Sequence, residues 1–262
     1  MGLIYQNTGE YSKALLSHEK ALEIQLQSLP SNHPDLAASH YNIGLIYDNN
    51  GEYSKALSYY EKALTIRQST LPSNHPDLAA CFNNIGLVYK NMGEYSKALL
   101  YCEKALAIRQ NTLPSNHPDL AACYNNIGLV YKSVGQYSKA LSFHEKALKI
   151  KEQLLPSNHP NLAALYGNIG ELCMRIGEYA KALSSLEKAL EIRQKTLPPD
   201  HPDLATSYNN VGNMYFGMGE YSKALSYQER SLEILKNTLP PEHPTLRDIY
   251  RNIALMRTLS HR

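Results

Sequence analysis

The residues of this chain most able to do chemistry recur in step. His33, His75, His117, His159, His201 and His243 each precede a proline, and Leu-Pro recurs just upstream at Leu29, Leu71, Leu113, Leu155, Leu197 and Leu239. Six in-phase imidazoles suggest a metal ladder, and Ser-Asn-His-Pro-Asp suggests a nucleophile with its base. Neither reading survives simple geometry. Neighbouring helices lie about 8–10 Å apart, whereas ligand atoms must converge on one ion at about 2 Å. The Ser, His and Asp of one segment adjoin at a helix start, and a triad needs side chains converging from separately positioned elements. The histidines are therefore read as residues that close a loop onto the next helix. No catalytic residue and no metal ligand is expected.

Cys81, Cys102, Cys123 and Cys173 contain no Cys-x-x-Cys pair, and four cysteines in 262 residues are too few for a disulfide scaffold. Cys81 and Cys123 share a repeat phase with Ser39, Leu165, Ser207 and Ile249, which reads as a slot that tolerates small or apolar residues. The glycines are spaced for helix packing and turns rather than for a phosphate loop, so no cofactor is expected. Lys plus Arg at 26 against Asp plus Glu at 24 is too balanced for a protein that neutralises many phosphates, which demotes nucleic acid as a partner. No apolar run approaches the roughly 20 residues that cross a bilayer, and the opening residues lack the basic region and apolar core of a leader. The expectation is a cytoplasmic protein without nucleic-acid or membrane partners.

What positions these residues is a repeat. Gly-Glu-Tyr begins at Gly9, Gly51, Gly93, Gly177 and Gly219, with Gly135-Gln136-Tyr137 in the remaining slot, so the period is 42 residues with no insertion. Each period predicts two helices. The first begins near Pro76 and places Leu78, Phe82, Ile85, Tyr89 and Met92 at spacings of three and four. Pro76 suits the first helical position, Asp77 suits the positive end of the helix dipole, and Gly93 is a left-handed cap. The second helix runs from Tyr95 to about Thr112, where Leu113-Pro114 stops it. Neither helix can bury its apolar stripe alone, so stability must come from stacked neighbours, as in a solenoid. The glycines Gly86 and Gly128 in first helices, and the alanines Ala98, Ala105, Ala140 and Ala147 in second helices, read as notches for close approach. Tyr89, Tyr95 and Tyr131 are the large bodies around them. With 20 Tyr and no Trp, tyrosine is doing one job repeatedly.

Phe82, Ile85, Gly86, Tyr89, Gly93, Tyr95, Ala98 and Ala105 reproduce the order and spacing of the tetratricopeptide (TPR) signature, and the match covers essentially the whole chain. The period, with the Leu-Pro-x-x-His-Pro-x-Leu-Ala link into an Asn-Asn-Ile-Gly helix, resembles the repeats of kinesin light chains. The resemblance implies an all-α fold, an α-α superhelix of antiparallel helix pairs, and a non-enzymatic interaction module or scaffold. Departures from the signature fall at Ser231, Ala254 and Cys173. The expected organisation is one array over 1–262: a truncated first repeat 1–33, full repeats 34–75, 76–117, 118–159, 160–201 and 202–243, and a capping helix 244–262. Met1 stands where other units have the Ile of Asn-Ile-Gly. The array therefore reads as beginning in mid-helix, as a piece of a longer protein would, with the apolar surface of the helix from Tyr11 to about Gln27 exposed.

The resemblance also implies that the first helix of each pair lines a concave groove and that Asn on it holds a peptide backbone, for which a carboxamide with donor and acceptor is suited. The matching positions are Asn42, Asn84, Asn126, Asn168, Asn210 and Asn252; four of them, Asn84, Asn126, Asn168 and Asn210, are the candidate contacts. One turn on, the phase varies: Leu45, Leu87, Leu129, Glu171, Asn213 and Leu255, then Asp48, Lys90 and Lys132, with Arg175 one residue later in its unit. An extended peptide with an apolar anchor on Leu87 and Leu129 and acidic flanks on Lys90, Lys132 and Arg175 is the ligand expected. Two rival readings follow from the resemblance. One is a cargo adaptor in a motor or cytoskeletal complex, although the heptad segment by which kinesin light chains pair with the motor is not seen here. The other is the recognition tail of a larger enzyme, such as an ADP-ribosyltransferase or a signalling NTPase.

Overall fold

The structure, a computed structural model, describes residues 11–260, and the expectations for Met1, Gly9 and the end of the capping helix at 261–262 lie outside the described residues. Among the described residues there are twelve α-helices and no strand. They are α1 (Tyr11–Ser28), α2 (Pro34–Asn49), α3 (Tyr53–Thr70), α4 (Pro76–Asn91), α5 (Tyr95–Thr112), α6 (Pro118–Ser133), α7 (Tyr137–Leu154), α8 (Pro160–Ile176), α9 (Tyr179–Thr196), α10 (Pro202–Gly217), α11 (Tyr221–Thr238) and α12 (Pro244–Ser260). The chain divides into two compact units, one up to Val134 with α1 to α6 and one from Gly135 with α7 to α12. Within each unit consecutive helices pack on one another, α2 on α3 and α4 on α5 in the first, α8 on α9 and α10 on α11 in the second. The fold class is all-α, that of the TPR solenoid.

Local chemistry sets the helix ends. The imidazole of each link histidine is an N-cap: Nδ1 of His75 accepts the backbone N–H of Asp77 at 3.2 Å, and Nδ1 of His117 that of Asp119 at 3.1 Å. Proline follows at the first helical position, where its missing N–H is no loss. At the far end Gly93 takes φ +79°, its N–H donates to the Lys90 carbonyl and that of Glu94 to the Tyr89 carbonyl, closing the helix with a left-handed cap. The second helices end where Leu71 N–H bonds the Arg67 carbonyl and Pro72 forbids another turn.

The core is made inside and between helix pairs. Leu78, Ile85 and Val88 of α4 are buried, as are Ala98, Ala105 and Leu106 of α5, the helix on which α4 packs. Gly86 admits Cys102: a Cβ on Gly86 would lie 2.6 Å from its Sγ and 3.2 Å from the Ala98 carbonyl. The partner in the notch is thus the residue between the two alanines of the second helix, which itself varies. Tyr60 faces Gly44, Leu186 faces Gly170 and Gln228 faces Gly212. Gly128 is buried likewise, as are Ala140 and Ala147.

Tyrosine has its repeated job. Tyr47 of α2 stacks on Tyr59 of α3, Tyr89 packs on Tyr101 and Tyr215 stacks on Tyr227, each pair with ring centroids 5.5 Å apart. Lys55, Lys97 and Lys223 lie over the first ring of each pair at 5.0, 5.2 and 5.3 Å. The Tyr215 hydroxyl donates to Glu187 at 2.8 Å, and this bond and burial push its pKa up to about 12. Tyr131 and Tyr95 are half-buried. Cys173, where the signature has Tyr, is fully buried; Ser231, where it has Ala, donates its hydroxyl to the Ala205 carbonyl at 2.8 Å; Ala254, in the glycine phase, is exposed and needs no notch. On α1, Leu16, Ile24 and Leu26 are exposed.

Candidate functional site

The candidate residues lie on the first helices, and each unit presents its own set. In the first unit Asn84 and Asn126 are half-buried and are joined by side-chain hydrogen bonds. Asn126 Nδ2 donates to Asn83 Oδ1 at 2.8 Å, Asn83 Nδ2 to Asn84 Oδ1 at 3.2 Å, and Asn84 Nδ2 to the Tyr41 hydroxyl at 2.7 Å. Each bond between helices spans 43 residues, from the Asn of one repeat to the residue before the equivalent position in the previous repeat. The relay consumes half of the hydrogen-bonding capacity of Asn84. Beneath it the Tyr60 side chain is fully buried, its hydroxyl near the Asn84 carboxamide but without a well-formed hydrogen bond.

One turn along the same helices, Leu87 and Leu129 are half-buried, as are Lys90 and Lys132. Lys90 is close enough to Asp48 to favour its ionised form, although burial is the larger effect and raises the Asp48 pKa. The basic character of this surface is therefore part-neutralised at α2. In the second unit Asn168 and Asn210 are half-buried, and Arg175 is exposed with its guanidinium over the Tyr137 ring at 5.8 Å. That places Arg175 against the turn before α7, beside Gln136 and Lys139.

The second unit also holds a cleft of about 240 Å³ between α10 and α12, lined by Asn213, Phe216, Asn252, Leu255 and Met256. It is smaller than the roughly 300–1,000 Å³ of small-molecule sites and suits one side chain. Leu255 is 48 % exposed, whereas Met256 is buried. Asn213 is bonded in turn to Gln228 of α11, which is 0 % exposed. Its Nε2 donates to the Asn209 carbonyl at 3.4 Å and to Asn213 Oδ1 at 2.9 Å. A backbone carbonyl only accepts, so the amide orientation is fixed, and the N–H groups of Asn213 are the part left for another acceptor. Phe216 stands in the phase of Asp48, Lys90 and Lys132, of which the sequence reading took only the charged members, and Met256 in the apolar phase of Val88, Val130 and Met214, which reads as core.

The cysteine slot is chemically more specific than its tolerance of small residues suggested. Arg67 Nη1 donates to Cys81 Sγ and Arg109 Nη1 to Cys123 Sγ, both at 3.1 Å, and Arg193 Nη1 donates to the Ser207 hydroxyl at 2.6 Å. Burial raises the pKa of Cys81 and Cys123 in spite of these guanidinium groups, which keeps both thiols protonated and unreactive. Burial also pushes Cys102 up to about 12. Among the described residues no three of His, Cys, Asp and Glu converge to hold a metal ion, and no helix is long and apolar enough to cross a membrane.

No curated protein matches the chain by sequence. Solved structures do match. A kinesin light chain-like protein of Podospora anserina, with nearly identical TPR-like repeats, is 27 % identical with a TM-score of 0.69 over 79 % of this chain and 98 % of its own. BtubC (BKLC) from P. vanneervenii is 23 % identical, with a TM-score of 0.73 over 89 % of this chain and 94 % of its own, and PilF of Pseudomonas aeruginosa is 22 % identical, with 0.66 over 95 % and 93 %. These two share the fold. A pure TPR architecture resembles that of non-catalytic scaffold proteins, and TPR repeats generally bind protein partners. The tetratricopeptide repeat model matches residues 1–69, 50–111, 77–153 and 161–237, and the chain belongs to the tetratricopeptide repeat family.

Proposed function

We propose that this TPR scaffold binds an extended segment of a protein partner on the faces of its first helices. The observation that carries the reading is the cleft of about 240 Å³ between α10 and α12. It offers apolar walls from Phe216, Leu255 and Met256 for one aliphatic or aromatic side chain, and carboxamides from Asn213 and Asn252 for the peptide units beside it. On the first unit Leu87 and Leu129 supply apolar surface for such a segment, and Lys90 and Lys132 suit acidic residues flanking its anchor. Arg175, turned toward Tyr137, is the weakest member of that basic set.

The test is selection of twelve-residue peptides from a random display library on the purified chain, followed by titration of the selected pool. Leu255→Glu should abolish binding through the cleft. Lys90→Glu with Lys132→Glu should weaken the pool and flatten its salt dependence if acidic flanks are read. An empty selection overturns the proposal.

A second reading, an adaptor that holds cargo in a kinesin-type complex, is favoured by the likeness to the Podospora protein. Co-purification of the chain with a kinesin heavy chain supports it, and absence of that association removes it.

A further inference from the structure

Two clefts lie side by side on the second helices of the second unit, of about 370 and 530 Å³, and share Gln194 of α9, Tyr208 of α10 and Arg230 of α11. They make one groove between α9 and α11. Along α11 it runs from Ser226 to Asn237, about 16 Å at the helical rise and room for about five residues of extended chain. Its floor is apolar, with Leu204, Tyr208 and Ile234 buried. Asp200 and Glu233 are exposed at the end near the link, and Arg230 is exposed where the two clefts meet. None of these three charges makes a hydrogen bond, ion pair or ring contact among the described residues. At the other end Glu187 and Glu191 are engaged by the Tyr215 hydroxyl and by Lys195.

The groove one repeat earlier, between α7 and α9, has the same plan but is filled by pairs of its own and measures about 210 Å³. There Lys188 lies over the Tyr166 ring at 5.1 Å, Lys195 pairs with Glu191 at 2.6 Å, and the Tyr166 hydroxyl donates to Glu152. In the later groove Arg230 stands in the phase of Lys188, Asn237 in that of Lys195, Asp200 in that of Asn158 and Gln194 in that of Glu152. The exchanges leave Glu233, in the phase of Glu191, without its lysine and add a carboxylate in the link. Gln194 Nε2 donates to the Tyr208 hydroxyl at 2.9 Å, so the floor is satisfied while the rim is not.

We propose that the groove between α9 and α11 binds a segment of a partner protein that carries a lysine or arginine, at a site separate from the first-helix faces. The stem of that side chain lies along Leu204 and Ile234, its charged head meets Asp200 and Glu233, and Arg230 takes a carboxylate nearby on the same segment. Charge selects this occupant. Two unpaired carboxylates repel phosphate groups, no three of His, Cys, Asp and Glu converge here to hold a metal ion, and the free arginine beside them favours a segment of mixed sign over a plain polycation.

The test sorts peptides by the substitution they feel. Twelve-residue peptides selected from a random display library on the unaltered chain are titrated against Leu255→Glu and against Asp200→Asn with Glu233→Gln, all at exposed positions. One class, bearing lysine or arginine, should bind Leu255→Glu as tightly as the unaltered chain and the double variant about tenfold more weakly, the loss of two exposed ion pairs. Arg230→Lys with Asn237→Lys, which rebuilds the closure seen between α7 and α9, should weaken that class by a similar factor. Asp200→Lys with Glu233→Lys as bait in a fresh selection should enrich acidic in place of basic residues, a change that a merely structural role would not produce. A selection with no peptide sensitive to the Asp200 and Glu233 changes overturns the proposal, whatever becomes of the first-helix site. Sensitive peptides without lysine or arginine overturn the assigned occupant. Self-association of the chain in analytical ultracentrifugation that Arg230→Lys with Asn237→Lys abolishes makes a second copy the occupant and overturns the assignment to a partner.

Discussion

Arg67 donates from Nη1 to the thiol of Cys81 at 3.1 Å, joining the end of α3 to α4 across 14 residues. The same spacing joins Arg109 to Cys123, Arg193 to Ser207, and Ser39, as donor, to Gln25. Where the slot holds the apolar Ile249, the position 14 earlier is Leu235, so the two phases change together. One repeat breaks the match: Lys151 stands opposite Leu165.

Lys151 is half-buried, and burial lowers its pKa. Folding therefore disfavours its charged form. The penalty is present at neutral pH and is relieved only as pH rises through the folded pKa toward the unfolded value of about 10.4. Lys151→Leu should raise stability at pH 7 by about 1 kcal/mol, a typical gain for correcting a mismatched site, and the gain should shrink in melts at alkaline pH. An unchanged melting temperature at neutral pH would count against the pairing rule.

The glycine notches differ in how tightly they are filled. A Cβ on Gly86 would come within 2.6 Å of Cys102 Sγ and 3.1 Å of the Cys102 backbone nitrogen, and on Gly170 within 2.6 Å of Leu186. On Gly212 its nearest contacts are 3.2 Å away, on the Gln228 side chain, with the Ala224 carbonyl at 3.3 Å. Gly86→Ala and Gly170→Ala should each cost about 1–3 kcal/mol by overpacking, and Gly212→Ala clearly less. Denaturant melts that rank the three alike would show that the repeats adjust equally.

The link histidines are helix caps, and a cap is testable apart from any metal. His117→Ala should cost about 1 kcal/mol, whereas His117→Asn, which keeps a side-chain acceptor for the Asp119 N–H, should recover most of it. Loss of stability by His117→Ala that Asn fails to restore would contradict capping.

Tyr60 offers a stabilising change of a different kind. Its ring fills the Gly44 notch, while its buried hydroxyl lies near Asn84 without a well-formed hydrogen bond and burial raises its pKa well beyond the usual tyrosine range. Tyr60→Phe keeps the ring and removes an unsatisfied group, and should gain about 1 kcal/mol in thermal or denaturant melts. A loss on that change would reveal a bond to the hydroxyl.

Helix limits were legible in the sequence because their causes are local. His-Pro-Asp starts a first helix, Gly ends it, and Leu-Pro ends the second, each through groups within a few residues. The notch glycines were legible too, but their partner was not. Cys102 meets Gly86 because of how two helices cross, which the alanines beside it did not reveal. The candidate surface was legible by phase and not by role. Asn84 and Asn126 look like any other member of their phase along the chain, and only the offset between stacked helices shows that they reach Tyr41 and Asn83.

The sequence alone determined the period, the helix pairs and the all-α repeat class, since capping, proline geometry and apolar periodicity act over short distances and repeat with the chain. Tertiary structure alone decided which carboxamides are spent on neighbouring helices, how Gln228 turns Asn213, and that Phe216 and Met256 complete a cleft. Those outcomes depend on side chains from different repeats meeting at a few ångströms, and helix packing, not spacing along the chain, sets such distances.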